Sequence, residues 1–195
     1  VMNGTQLLLN HQVCHIEQIK DENRTEVSGH YFHIQMKHEI PEGIHEFRSA
    51  DSEEHAYPAQ DAELDARIVI NAAGVYADEI YKMVSDQVGF SITPRRGEYF
   101  VLDHEAQPVV SRIIYPTPSE KGKGVLVIPT IHNNILLGPS ADFIEDKEDI
   151  GTTAERLSYI RSEVSKTVKN IPMQKVIRNF AGLRATGSTG DFIVE

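Results

Sequence analysis

Ile68-Val69-Ile70-Asn71-Ala72-Ala73-Gly74-Val75-Tyr76-Ala77-Asp78 decides how the rest of the chain is read. A run of β-branched residues passes straight into Asn-Ala-Ala-Gly, and a helical pattern follows. A short, continuously apolar strand predicts burial on both faces. Small residues at a strand-to-helix turn leave room for a group to approach the backbone. In α/β proteins the crevice outside the carboxyl ends of the strands is where nucleotides lie. A tight buried turn with no ligand produces the same pattern.

Upstream of that stretch, residues 6–10 and 13–19 have strand character, and residues 21–25 form a polar turn. From His30 to Met36 the chain alternates, with Phe32, Ile34 and Met36 on the apolar side of a half-buried strand. Residues 42–65 are acidic and poor in aliphatics, which predicts hairpin and solvated loop. Downstream, Tyr76, Ile80, Met83, Val84 and Val88 fall at helical spacing, and Gly89 closes a helix over 75–88.

The pattern then changes. Ile92-Thr93-Pro94-Arg95-Arg96-Gly97 leads into a strand over 98–102, with further strands over 112–115, 124–128 and 135–137 separated by Pro and Gly turns. Asn133-Asn134 fits a tight hairpin turn. Such an order points to an antiparallel sheet and not to βαβ units. Thr152 or Thr153 caps a helix whose stripe is Leu157, Ile160, Val164 and Val168, ended by Ile171-Pro172. A last strand over 175–180 runs into Ala181-Gly182-Leu183-Arg184. The expected class is α+β. Residues 1–90 form one domain, residues 91–180 a second built on an antiparallel or mixed sheet, and residues 181–195 return toward the first.

With 195 residues, 40% apolar and 25% charged, the chain can bury a real core. Its formal net charge of −10 argues against nucleic acid as a partner and against adsorption to an anionic membrane. Cys14 is the single cysteine and is expected as a small buried hydrophobe, so neither a disulfide framework nor a cysteine metal cluster is available. His30 and His33 sit on opposite faces of a strand and no acidic cluster has ligand spacing, so no metal site is expected. No apolar run reaches the roughly 20 residues a membrane span needs. Both ends of the chain have the look of cuts through a larger one, and a cytoplasmic setting fits.

Several segments occur in a fixed order: Val69-Ile70-Asn71-Ala72-Ala73-Gly74, then Pro94-Arg95-Arg96-Gly97-Glu98-Tyr99, Gly124-Val125-Leu126-Val127-Ile128-Pro129-Thr130, Leu136-Leu137-Gly138-Pro139, and Phe180-Ala181-Gly182-Leu183-Arg184 with Gly190-Asp191-Phe192-Ile193. Together they resemble the FAD-dependent D-amino-acid oxidase-like superfamily, most of all its anaerobic-type glycerol-3-phosphate dehydrogenases and L-2-hydroxyglutarate oxidases. The resemblance covers nearly the whole chain. It departs from the family in lacking the opening Gly-x-Gly-x-x-Gly phosphate loop, the glycine-rich stretch after it and the closing Gly-rich segment. The chain thus looks like the middle of a flavoenzyme: a substrate, or cap, domain plus part of an α/β FAD-binding domain. Alone it is expected to bind FAD weakly or not at all, and to be inert.

The resemblance implies oxidation of a small anionic 2-hydroxy compound by hydride transfer to flavin, with glycerol 3-phosphate first, L-2-hydroxyglutarate second and a glycine- or sarcosine-type amine third. It also implies electron transfer to a quinone, a partner subunit or oxygen, and attachment to a membrane only through such a partner. A non-catalytic binding module of the same fold is the rival of another class. By resemblance, Val13 contacts the adenine through its backbone, and Ala72, Ala73 and Gly74 lie beside the cofactor phosphates and ribose. Arg184 holds the substrate carboxylate or phosphate, for which a planar fork of donors is suited. Arg95 and Arg96 are adjacent on a strand and point to opposite faces, so at most one faces a site, with Arg96 favoured over Arg95 for a structural or site role. Tyr115, Thr130 and His132 stand at strand ends and either line the pocket or simply pack. No catalytic base is assigned.

Overall fold

In strands, alternating side chains give each sheet a buried and an open face, and that alternation organises both halves of this protein. The computed structural model describes residues 5–20, 29–39, 60–106, 109–117 and 124–194. The expected turn at 21–25 and residues 42–59 of the acidic stretch over 42–65 lie outside the described residues, and the end of that stretch enters a paired strand, Ala62–Ala66, where solvated loop was expected. The chain divides into a first unit, residues 1–73 with 77–89, and a second, residues 74–76 with 90–195. Elements are α+β in character and sheet-dominated.

The first unit is a three-stranded antiparallel sheet in the order β1 (His11–Lys20), β2 (His30–His38), β3 (Ala62–Ala66). Ile16, Ile34 and Met36 form its buried centre, against which Phe32, Val69, Ile80, Met83 and Val84 pack. A β-bulge lies between Val13 and His15 in the edge strand β1. That extra residue is Cys14, which is exposed and donates its thiol to the Gln35 carbonyl at 3.3 Å. The bulge therefore overturns the expected burial of Cys14, because it breaks the alternation that would have turned the thiol inward.

Two other expectations are corrected here. Residues 68–70 are extended but not a strand, and Ile68 and Ile70 are 78% and 86% exposed while Val69 packs inward. Among the described residues no neighbouring strand pairs their backbone, and a strand exists only through such pairing. Residues 6–10 behave likewise, with Leu8 packed inward, Leu7 and Leu9 exposed, and Asn10 left-handed at φ 59° just before β1. The expected helix over 75–88 is reduced to α1 (Ala77–Lys82), preceded by a 3-10 turn at Gly74–Tyr76. Beyond Lys82 the bonds Met83 N–H to Ile80 and Val84 N–H to Tyr81 are of the tighter i→i−3 kind. Ser85 then bonds Gln87 through its hydroxyl, offering the backbone a turn in place of helix.

The second unit is built on β4 (Ile92–Leu102). On one side β4 pairs with β6 (Ile135–Gly138) and with the short β7 (Asp142–Phe143); β5 (Leu126–Pro129) extends the sheet beyond β6. On its other side β4 pairs along its length with β8 (Val176–Gly187). Every pairing is antiparallel. Residues 112–115 contribute only an isolated bridge, Ile114 to Val127, instead of the expected strand. The hairpin before β6 turns at Asn133, left-handed at φ 65°. Helix α2 (Ala154–Thr167) lays Ile160 and Val164 on Leu102, Val127, Ile135 and Leu137, the fully buried core of this unit.

A buried carboxylate joins α2 to β4. Glu98 is fully buried and accepts from the Thr153 N–H at 2.9 Å and from the Thr153 hydroxyl at 3.0 Å. Thr153 is the N-cap, and its side chain accepts from Arg156 N–H. Glu155 falls one position short of the reciprocal capping arrangement. An anion at the helix N-terminus also complements the macrodipole. Arg96, itself buried, stands 3.6 Å from Glu98 and pairs with Asp149.

Truncating Glu98→Ala leaves the buried Arg96 with Asp149 alone and the Thr153 N–H without its acceptor, so chemical denaturation should show a loss of about 3–5 kcal/mol. A second expectation concerns His33, whose Nδ1 lies 2.8 Å from Asp65. That hydrogen bond holds its pKa above 6.5, helped by the charges of Asp65, Glu63 and Glu17. The protonated pair stabilises fully below the unfolded value and is lost as pH rises through the higher folded value. Thermal stability should therefore decline on going from about pH 6 to pH 8, and His33→Gln should flatten that part of the profile.

Candidate functional site

The register of β4 against β8 sorts their side chains. Arg96, Glu98, Phe100 and Leu102 turn toward α2 and the core, while Arg95, Gly97, Tyr99 and Val101 stand on the opposite, open face. Their partners on β8 are Arg184, Gly182, Phe180 and Arg178, which share that face. Tyr99 and Phe180 are stacked, with ring centroids 5.1 Å apart and planes inclined by 8°.

Arg184 is exposed and its guanidinium is held. Its Nη2 donates to the Ser140 carbonyl at 3.0 Å. Ser140 is buried, with its N–H donating to the Glu98 carbonyl and its hydroxyl accepting from the Glu98 N–H at 3.1 Å. The carbonyl that orients Arg184 is thus pinned by the residue whose carboxylate holds Thr153, the N-cap of α2. Beneath the guanidinium lies Gly97: a methyl there would come within 3.0 Å of Arg184 Nη2 and of Pro139 Cβ. At Gly182, by contrast, nothing stands within 4 Å of the Cβ position, so the sheet floor beside Arg184 is open. A guanidinium already fixed by one bond pays little further entropy to seat an anion with its remaining donors.

In the first unit, Ala72 and Ala73 are exposed. The turn that follows them is closed by Asn71, which accepts from Ala73 N–H at 3.2 Å and donates to the Ala77 carbonyl at 2.8 Å. Gly74 adopts φ +60° with open space where a Cβ would stand, a conformation in which other residues are strained. Val13 lies at the β1 bulge, its side chain against the core. Methyl-sized side chains at Ala72 and Ala73 leave their turn open to close approach by a group as bulky as a dinucleotide cofactor.

The sequence reading favoured Arg96 over Arg95 for a structural or site role, and the role it has is structural: Arg96 is buried in the α2 network, while Arg95 shares the open face with Arg184. The register that decides it is not visible in one strand alone. Asn71 and Ser140 were also missed. Asn before small residues at a turn is a usable signal for the first; nothing local marks the second. Tyr115 and His132 are exposed, Thr130 lies in the hairpin after β5, and the hydrogen bond of Arg184 goes to Ser140 and not to any of them.

Gly97→Ala should push Arg184 or Pro139 aside. The expected cost is about 1–3 kcal/mol in a denaturation measurement, together with a displaced Arg184 side chain in a crystal structure of the variant.

Residues 2–195 match the family model described as DAO, FAD dependent oxidoreductase. The chain is 46% identical over 131 residues to the glycerol 3-phosphate dehydrogenase of Caloramator mitchellensis, covering 67% of this chain and 27% of that protein. It is 37% identical over 84 residues to the L-2-hydroxyglutarate dehydrogenase of Escherichia coli K12, covering 42% of this chain and 20% of that one. In fold it is similar to the FAD-bound L-alpha-glycerophosphate oxidase of Mycoplasma pneumoniae, with a TM-score of 0.68 at 22% identity over 94% of this chain and 41% of that one. The chain thus spans 27% and 20% of the length of the two curated relatives. With its sheet topology, its small-residue turn and a family match over nearly all its residues, this chain belongs to the DAO family of FAD-dependent oxidoreductases.

Proposed function

We propose that this chain is part of an FAD-dependent dehydrogenase or oxidase that oxidises a small anionic 2-hydroxy compound, glycerol 3-phosphate first. The observation that carries the reading is Arg184: an exposed guanidinium, fixed by the Ser140 carbonyl over Gly97, on an open sheet face. Arg184 binds the substrate anion with its free donors, as a fork that fixes orientation as well as charge. Gly97 keeps the floor low enough for the guanidinium to lie flat, and Ser140 holds it against rotation. Val13 through its backbone, and Ala72, Ala73 and Gly74 through their small size, hold the cofactor. Bound flavin supplies a hydride acceptor for the carbon that bears the substrate hydroxyl. The protein's share in that chemistry is orientation of the substrate carbon by its anchored anion.

The relatives named for glycerol 3-phosphate and for L-2-hydroxyglutarate keep both substrates in play, because one guanidinium accommodates a phosphate or a carboxylate. Electrons pass onward to a quinone, a partner subunit or oxygen. Among the described residues no helix is long and apolar enough to cross a membrane. With a net charge of −10, contact with an anionic membrane surface would run through that partner on the cytoplasmic side.

In the enzyme expressed from its full reading frame, Arg184→Leu should raise KM for glycerol 3-phosphate by about 10- to 100-fold, the loss of a charge-assisted anion contact. The flavin absorbance of the purified variant should stay unchanged. An unaltered KM would remove Arg184 from substrate binding.

A further inference from the structure

Arg95 and Arg184 are register partners across β4 and β8, so both guanidinium stems rise from the same open face. Directly opposed residues of an antiparallel pair have Cβ atoms roughly 4.5–5.5 Å apart, and like charges in that relation repel. Proteins usually relieve such a pair with a carboxylate. Here the carboxylates of the adjoining segments turn elsewhere: Glu98 holds Thr153, Asp149 pairs with Arg96, and Asp142, the register partner of Arg96 on the core face, pairs with Arg156 through Oδ1 at 2.8 Å. Among the described residues Arg95 has no ion pair. Its guanidinium carbon lies 5.3 Å from the centre of the Phe143 ring, and its Nε is buried without a hydrogen-bond partner. Arg184 spends one donor on a neutral carbonyl. Two cross-strand arginines, with no ion pair to either among the described residues, stand in a chain of net charge −10 beside the open floor at Gly182.

We infer that Arg95 and Arg184 together form a two-guanidinium seat for one doubly charged oxyanion, so that Arg95 selects a phosphate monoester over a carboxylate. The inference rests on the proposed role of Arg184 and narrows it. A phosphate dianion has the oxygens and the charge to satisfy two forks at once, whereas a single carboxylate is filled by one. Phe143 supports the planar face of Arg95 and limits where its donors can reach. Arg95 is a substrate-binding residue in this account and takes no part in proton or hydride transfer.

The test uses the full-length, FAD-loaded enzyme. Binding of inorganic phosphate and of acetate is measured by titration calorimetry, beside KM and kcat for glycerol 3-phosphate, in the unaltered protein, Arg95→Gln and Arg184→Gln. Arg95→Gln is expected to weaken phosphate about 10- to 100-fold, as for loss of a charge-assisted contact. Acetate binding should change by less than about 3-fold, since Arg184 remains. KM for glycerol 3-phosphate should rise in step with phosphate affinity while kcat holds. Arg184→Gln should weaken both anions. If Arg184→Gln weakens phosphate and Arg95→Gln leaves it unchanged, the two-guanidinium seat is overturned and the Arg184 reading stands. If neither variant moves phosphate binding, or the unaltered enzyme binds no phosphate, both readings fall. Should Arg95→Gln fail to fold, Arg95→Lys decides: a several-fold loss of phosphate affinity at unchanged melting temperature supports the seat, and unchanged affinity overturns it.

Discussion

The pairing of β4 with β8 is the constraint on which the second unit depends. Because side chains alternate, one register assigns every residue of both strands to the core or to the open face. Arg96 and Glu98 go inward, where they must be paired, and the pairing they find is the N-terminus of α2 and Asp149. Arg95 and Arg184 go outward, where Gly97 and Gly182 leave the sheet flat beneath them. A slip of one residue would exchange these roles, burying the open-face arginines and exposing the helix cap.

Structure and function are coupled through Glu98. Its carboxylate fixes α2, and its backbone fixes Ser140, whose carbonyl orients Arg184. The same residue therefore supports the core on one face and Arg184, the proposed anion-binding group, on the other. Such a link explains why a fully buried charge, costly in itself, is retained: it has several donors, and a helix N-terminus to face.

Much of this was legible in the sequence. The helix from Thr153 with its Ile160 and Val164 stripe, the alternating β2, the antiparallel run after Ile92 and the small turn at Ala72 to Gly74 all follow from local pattern. Arg184 stood out by resemblance, through Phe180-Ala181-Gly182-Leu183-Arg184; the strand expected to end at residue 180 continues through it to Gly187. What was not legible depends on neighbours. The apolar run at Ile68 to Ile70 says that something covers it but not that a strand lies beside it, and among the described residues none does. Cys14 was misjudged because a bulge is invisible to a strict two-residue period. Arg95 and Arg96 have the same neighbours in sequence; only the partner strand tells which one faces out.

The central claim is that this chain supplies the anion-binding face and part of the cofactor-binding domain of a flavoenzyme acting on a 2-hydroxy anion. The most direct measurement is the visible spectrum of the full-length protein under argon, before and after substrate. The account predicts flavin bands that bleach with glycerol 3-phosphate and persist with glycine. Bleaching with glycine alone would contradict the assigned substrate class, and a full-length protein with no flavin band even after added FAD would contradict the account as a whole.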